Sequence, residues 1–181
     1  MILMVLGLLL WSGAHLFRRL APDARARMGD PGKGVVAVLS LIAVVLMVIG
    51  YRGWDSAQVW FPPNGLTHLN NLLVLLAVYL FAASGMKTAA TRFVRHPQLI
   101  AVLLWAVGHL LVNGDLASIV LFGGLALWAL ISILLINRDT VWVRNPPSTT
   151  GKEIGAIIGA VVVTGVIGYL HTFFGLLPFG A

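Results

Sequence analysis

The chain has 181 residues, of which 59% are hydrophobic and only 10% are charged, and its formal net charge is +6. A soluble domain of this size could not bury so much apolar surface, because each large apolar side chain left in water costs about 1.5–3 kcal/mol. The composition therefore predicts a membrane protein and excludes an ordinary soluble domain. The chain contains no cysteine, which excludes disulfides, thiolate metal ligands and cysteine nucleophiles.

Six apolar segments follow one another along the chain, separated by connectors rich in proline, glycine or charge. They span approximately residues 2–17, 35–50, 66–84, 99–112, 116–136 and 154–174. With some flanking residues, each can cross a hydrocarbon core about 30 Å thick. The first segment is expected to be a membrane helix and not a secretory signal, since its cations follow it. We therefore expect an all-α, polytopic transmembrane helical bundle of about six helices, with residues 1–181 forming a single integral-membrane domain.

Lysine and arginine are distributed unevenly among the connectors. Eleven of the twelve lie in the first, third and fifth loops, and only Arg52 lies in the second. The positive-inside rule then places those three loops in the cytoplasm. The sequence thus predicts a multi-pass protein of the bacterial inner membrane with both termini in the periplasm. Because the cations are spread over short loops, we expect the lipid bilayer as a partner and no nucleic acid.

Histidine is the ionisable residue type that falls within or beside the apolar segments, where ionisable groups are costly and mark candidate sites. The five histidines are His15, His68, His96, His109 and His171. The segments contain no acids, which argues against a carboxylate-rich Mg²⁺ or Ca²⁺ site. Neutral imidazole ligates zinc, copper or iron, and two imidazoles on separate helices can hold a b-type haem. A packing role stays open for each histidine.

Depth in the predicted membrane separates these histidines. His109 lies about three turns into the fourth segment, which places it in the outer half of the membrane with His68 and His171. His15 lies near the cytoplasmic end of the first segment. Trp105 precedes His109 by four residues and so shares its helical face, where it could pack against a macrocycle or against the protein core.

Several blocks of residues with fixed spacing resemble the NnrU family of bacterial membrane proteins. The blocks are Arg95-His96-Pro97-Gln98, the stretch from Leu104 to His109, Asn113-Gly114-Asp115, Leu121-Phe122-Gly123-Gly124, and, nearer the start, Trp11, His15, Arg18 and His68. The resemblance covers nearly the whole chain. That family is associated with denitrification and nitric-oxide metabolism genes. The resemblance implies a haem b-binding membrane protein with a redox, nitric-oxide-related or polyene-isomerising role on a hydrophobic substrate.

The family is in turn similar to 15-cis-ζ-carotene isomerase, a haem b integral membrane enzyme. Its axial ligands match His15 and His109 here, whereas Ala106 replaces a cysteine of the isomerase. The predicted depths of the two histidines in the membrane disagree with this pairing, because His15 and His109 fall near opposite faces in the helix assignment above. We therefore expect His109 to be a metal ligand, with His15 as its partner by resemblance, or His68 or His171 by depth.

Arg95 and His96 allow further interpretations. Together with Trp105 they are our predicted cofactor-binding residues, but the Arg-His-Pro motif also resembles membrane methyltransferases that use S-adenosylmethionine. Those enzymes need a later glutamate-rich segment, and residues 137–147 contain no glutamate. The pair could also anchor the chain at lipid phosphates. A non-catalytic accessory protein for a respiratory or denitrification complex is the alternative from another functional class, and the sequence leaves enzymatic activity and oligomeric state open.

Overall fold

The computed structural model describes residues 1–63, 65–176 and 178. In these residues the helices are α1 (Ile2–Leu20), α2 (Pro22–Arg27), α3 (Pro31–Arg52), α4 (Leu66–Met86), α5 (Pro97–Val112), α6 (Leu116–Asp139) and α7 (Thr150–Thr172), with a 3-10 helix at Ala89–Arg92. The described ranges contain no β-strand, only an isolated bridge between Gln58 and Asp115. The prediction of an all-α fold is confirmed.

Five of these helices, α1, α3, α4, α6 and α7, are long and apolar enough to cross a membrane. The sixth apolar helix is α5, which has 16 residues. Large apolar side chains cover the outer surfaces of these helices; Leu134, for example, is 67% exposed. Because lipid is the solvent in which such surfaces cost little, the prediction of a polytopic membrane protein is confirmed.

The helices are longer than the apolar segments that predicted them. Helix α1 continues through Arg18 and Arg19, whose positive charges favour the carboxyl end of a helix. Helices α3 and α5 begin at Pro31 and Pro97, because proline is tolerated in the first turn. Helix α2 lies within the predicted first loop, where sequence periodicity over six residues gives little signal.

The chain divides into two compact units, Met1–Trp60 with Gly114–Thr140, and Phe61–Asn113 with Val141–Ala181. The assignment of residues 1–181 to one domain stays a prediction. In the first unit α1 packs against α3 and α6. Glycine makes the α1–α3 approach close, since a Cβ on Gly7 would lie 2.8 Å from the carbonyl oxygen of Ala43. Fully buried Met4 packs against Gly50 on the same interface.

A polar network closes one end of the first unit, where Asp115 is the N-cap of α6. Its carboxylate accepts hydrogen bonds from the Ser118 amide (2.9 Å), the Ser118 hydroxyl (2.6 Å) and the Ser56 hydroxyl (3.0 Å). Because Ser118 donates to Asp115, the Tyr51 hydroxyl must be the donor in its 2.8 Å bond to Ser118. Four side chains thus fix the start of α6 to the end of α3 and the segment after it.

In the second unit α4 packs against both α5 and α7. The amide of Ala89 donates to Glu153 at 2.7 Å, and the Asn145 amide group donates to Thr91 at 2.8 Å. These bonds attach the segment that precedes α7, and its first turn, to the 3-10 helix after α4. Glu153 thus lies in the first turn of α7, and its carboxylate accepts from another segment of the chain.

Candidate histidine sites

His109 is held in a defined tautomer in the last turn of α5. Its Nδ1 lies 2.8 Å from the carbonyl oxygen of Trp105, one turn earlier. A carbonyl can only accept, so Nδ1 carries the proton and, in the neutral ring, the lone pair is on Nε2. Nε2 of a neutral imidazole is a common metal-ligating atom, and a bond from Nδ1–H to a backbone carbonyl is a common way to orient it.

The surroundings of His109 are aromatic on one side and polar on another. The Trp105 ring lies 5.0 Å from the imidazole, centroid to centroid, so the predicted shared face is confirmed. The Asn113 side chain donates to the His109 carbonyl at 2.8 Å. A Cβ on neighbouring Gly108 would lie 2.9 Å from Oδ1 of buried Asn70, and that oxygen has no hydrogen-bond partner within the described residues. An unsatisfied buried acceptor therefore lies on α4 beside the end of α5.

His15 in the first unit repeats this arrangement. Its Nδ1 lies 2.9 Å from the carbonyl oxygen of Trp11, again one turn earlier. The Trp11 ring stacks on the imidazole at 4.1 Å, and the Trp128 ring of α6 meets it edge-on at 5.2 Å. The indole nitrogens of Trp11 and Trp128 are buried without a hydrogen-bond partner in the described part of the chain. His15 therefore lies in an aromatic environment.

The other predicted site residues are arranged differently. His68 is exposed in the first turn of α4, two residues before Asn70. His68 and His109 thus belong to the same end of the α4–α5 pair, because Asn70 contacts Gly108. Half-buried Arg95 and His96 precede α5, and His96 is its N-cap residue. Thirteen residues of helical rise place His96 about 20 Å along the axis from His109.

Comparison with known proteins identifies the family of this chain. The family model described as NnrU protein matches residues 3–178. The chain belongs to the NnrU family. The match includes both Trp-x-x-x-His turns. No curated protein and no solved structure gives a significant match.

The donor set of this NnrU protein consists of individual imidazoles. Within the described ranges, no group of three or more histidine, cysteine, aspartate or glutamate side chains is placed to hold a metal ion. A lone imidazole suits a metal whose remaining ligands come mainly from a macrocycle, as in haem.

Two features of the NnrU chain were missed in the sequence. The Trp-x-x-x-His spacing occurs at residues 11–15 and 105–109, and this repetition could have been found by comparing the two histidine segments. Trp128 gave no such signal, because nothing in an apolar helix indicates which tryptophan will face a histidine. His171 also bonds through Nδ1 to a carbonyl, that of Ile167 at 2.7 Å, so the neighbouring indole is what distinguishes His15 and His109.

Proposed function

We propose that this NnrU protein binds haem b, with His109 as an axial ligand. The observation that carries the proposal is the Nδ1–H bond from His109 to the Trp105 carbonyl, which orients the ring and makes Nε2 its basic nitrogen. Bound haem supplies a one-electron couple and an iron coordination position. The protein's part is to orient His109, to pack Trp105 beside the ring and to exclude water with apolar helices.

The resemblance to the isomerase implies His15 as the second ligand, and the predicted depth in the membrane makes His68 the next candidate. His15 has the same tautomer-fixing bond and a stacked indole, whereas His68 is exposed. Arg95, His96 and Trp105 stay the predicted cofactor contacts. The proposed role is redox or nitric-oxide-related chemistry, or isomerisation of a hydrophobic polyene as in the similarity to ζ-carotene isomerase.

An absorption spectrum of the detergent-purified protein tests this proposal. We expect a Soret band, with visible bands that sharpen and split on reduction. His109→Ala should lower the haem-to-protein ratio steeply without reducing membrane expression, because alanine is tolerated in an apolar helix. His15→Ala and His68→Ala rank the candidates for the second ligand.

His171→Ala is the matched control, since His171 makes the same backbone bond without a tryptophan one turn earlier. It should retain full haem, and millimolar imidazole should restore haem to His109→Gly. A preparation that stays colourless after haem feeding would refute haem binding and favour the accessory-protein alternative. An unchanged spectrum in His109→Ala would show that the ligand is misassigned.

We also propose that the chain lies in a bacterial inner membrane with both termini in the periplasm. Within the first unit, the cations at the ends of α1 and α6 lie beside Lys33 at the start of α3. That clustering at one end agrees with the cation asymmetry of the sequence. Ala181, at the carboxy terminus, lies outside the described residues.

A further inference from the structure

A cavity of about 630 Å³ lies at the basic end of the first unit, where α1 and α6 end and α3 begins. Its walls include Pro22 and Ala26 of α2. Five cations and one carboxylate also line it, Arg18, Arg19, Arg25, Lys33, Arg138 and Asp139. Cations that only set topology can spread into water, whereas these converge on one space.

The protein neutralises only part of this charge. Asp139 accepts from Arg138 at 2.7 Å and lies 3.8 Å from Arg19, so one carboxylate serves two guanidinium groups. Lys33 pairs with Asp30 at 2.8 Å on the exposed surface. Arg18 and Arg25 form no ion pair with any described residue. Several like charges around one cavity repel one another, and an anion in the cavity would relieve that repulsion.

Helix dipoles account for some of these cations, because Arg18, Arg19 and Arg138 lie in the last turns of their helices. They do not account for Lys33, which lies in the first turn of α3, where a cation is unfavourable. Its ion pair with Asp30 offsets part of that cost, and an anion in the cavity would offset more.

Arg25 is positioned by the surrounding backbone. Its Nη1 donates to the Gly29 carbonyl at 3.0 Å, and a Cβ on buried Gly32 would lie only 2.6 Å from the same nitrogen. The guanidinium group is thus packed on the start of α3. A guanidinium held in this way presents its remaining N–H groups in a fixed fork, which matches the geometry of a phosphate.

We propose that this cavity binds the phosphate headgroup of an anionic membrane lipid. Its place at the ends of α1, α3 and α6 is where a headgroup meets membrane helices, and exposed Leu20 at the end of α1 gives acyl chains an apolar surface nearby. Basic pockets at the cytoplasmic ends of transmembrane helices are typical sites for such headgroups. The proposal does not depend on haem binding.

Thermal unfolding in nanodiscs tests the proposal, with phosphatidylcholine alone compared with increasing fractions of phosphatidylglycerol or cardiolipin. The wild type should be stabilised as the anionic fraction rises. Arg25→Gln should need about fivefold more anionic lipid for half of that stabilisation, the factor expected for one cation near a membrane surface. Arg27→Gln is the matched control, because Arg27 belongs to the same helix and is exposed but does not line the cavity.

The outcomes separate the sources of phosphate. Loss of lipid response in Arg25→Gln but not in Arg27→Gln supports the proposal, and Arg18→Gln serves as the second cavity variant if Arg25→Gln does not fold. Equal losses in the cavity and control variants would show non-specific attraction and overturn it. Stabilisation by inorganic phosphate or pyrophosphate in phosphatidylcholine, with no added effect of anionic lipid, would overturn the lipid assignment.

Discussion

Replacing Asp115 by alanine should destabilise the first unit by about 3 kcal/mol. The change removes the N-cap of α6 and three hydrogen bonds to a carboxylate, from Ser118 twice and from Ser56 once. Bonds to charged groups contribute up to about 3 kcal/mol each, but Asp115 is partly exposed, so we use about 1 kcal/mol for each. Fully buried Ser118 would lose the carboxylate acceptor of its hydroxyl group. Asp115→Asn keeps an acceptor oxygen and should cost about 1 kcal/mol.

The pH dependence of stability checks the same reasoning. Burial raises the pKa of Asp115, but the hydrogen bonds from Ser118 and Ser56 outweigh it and hold the pKa below its usual value. A lowered pKa means that the carboxylate stabilises the folded state above its unfolded pKa of about 3.9. That stabilisation is lost as the pH falls through the folded pKa. Asp115→Asn should therefore make the free energy of unfolding less dependent on pH in this acidic range.

Intrinsic tryptophan fluorescence in detergent micelles, followed against temperature at neutral and acidic pH, measures both effects. Asp55→Asn is the matched control, because Asp55 is an exposed carboxylate in the segment that precedes Ser56. If Asp115→Asn and Asp55→Asn behave alike at every pH, the network does not stabilise the fold as argued. A melting curve for Asp115→Ala that matches the wild type would refute the magnitude.

Two further predictions follow from the same end of the first unit and from the cation distribution. Gly114→Ala should reduce the monodisperse fraction on size-exclusion chromatography, because its Cβ would collide with the Trp60 carbonyl; Gly34→Ala, with no atom within 4 Å, should elute as the wild type. An alkaline phosphatase fusion at Ala181 should be strongly active if the carboxy terminus is periplasmic. Bright green fluorescence from a fusion at the same point would contradict both the helix count and the orientation.

Sequence patterns predicted the helices better than their partners. Apolar runs located the five long helices and the shorter α5 in the described residues, since a bilayer requires such runs whatever the packing. They did not predict that α6 would join α1 and α3 while α4 joins α5 and α7, because apolar helices offer similar surfaces to many neighbours. In the sequence, the Asn113-Gly114-Asp115 block was noted only for its family resemblance. In the structure Asp115 caps α6, and an aspartate just before an apolar run is itself a helix-start signal.

The five histidines have the same side chain, and their positions in the helices distinguish them. A helical carbonyl four residues earlier is needed to hold Nδ1–H, so a histidine in the first turn or before the helix has none. His68 does not meet this condition, because α4 begins at Leu66, and neither does His96, because it precedes α5. His15, His109 and His171 meet it, and each makes the bond.

Among these three, an indole one turn earlier flanks only His15 and His109, and it can pack beside a planar ligand as well as beside the imidazole. Helix bounds and one spacing rule thus distinguish His15 and His109 from the other histidines, each within its own unit, and the assignment of a second ligand stays a prediction.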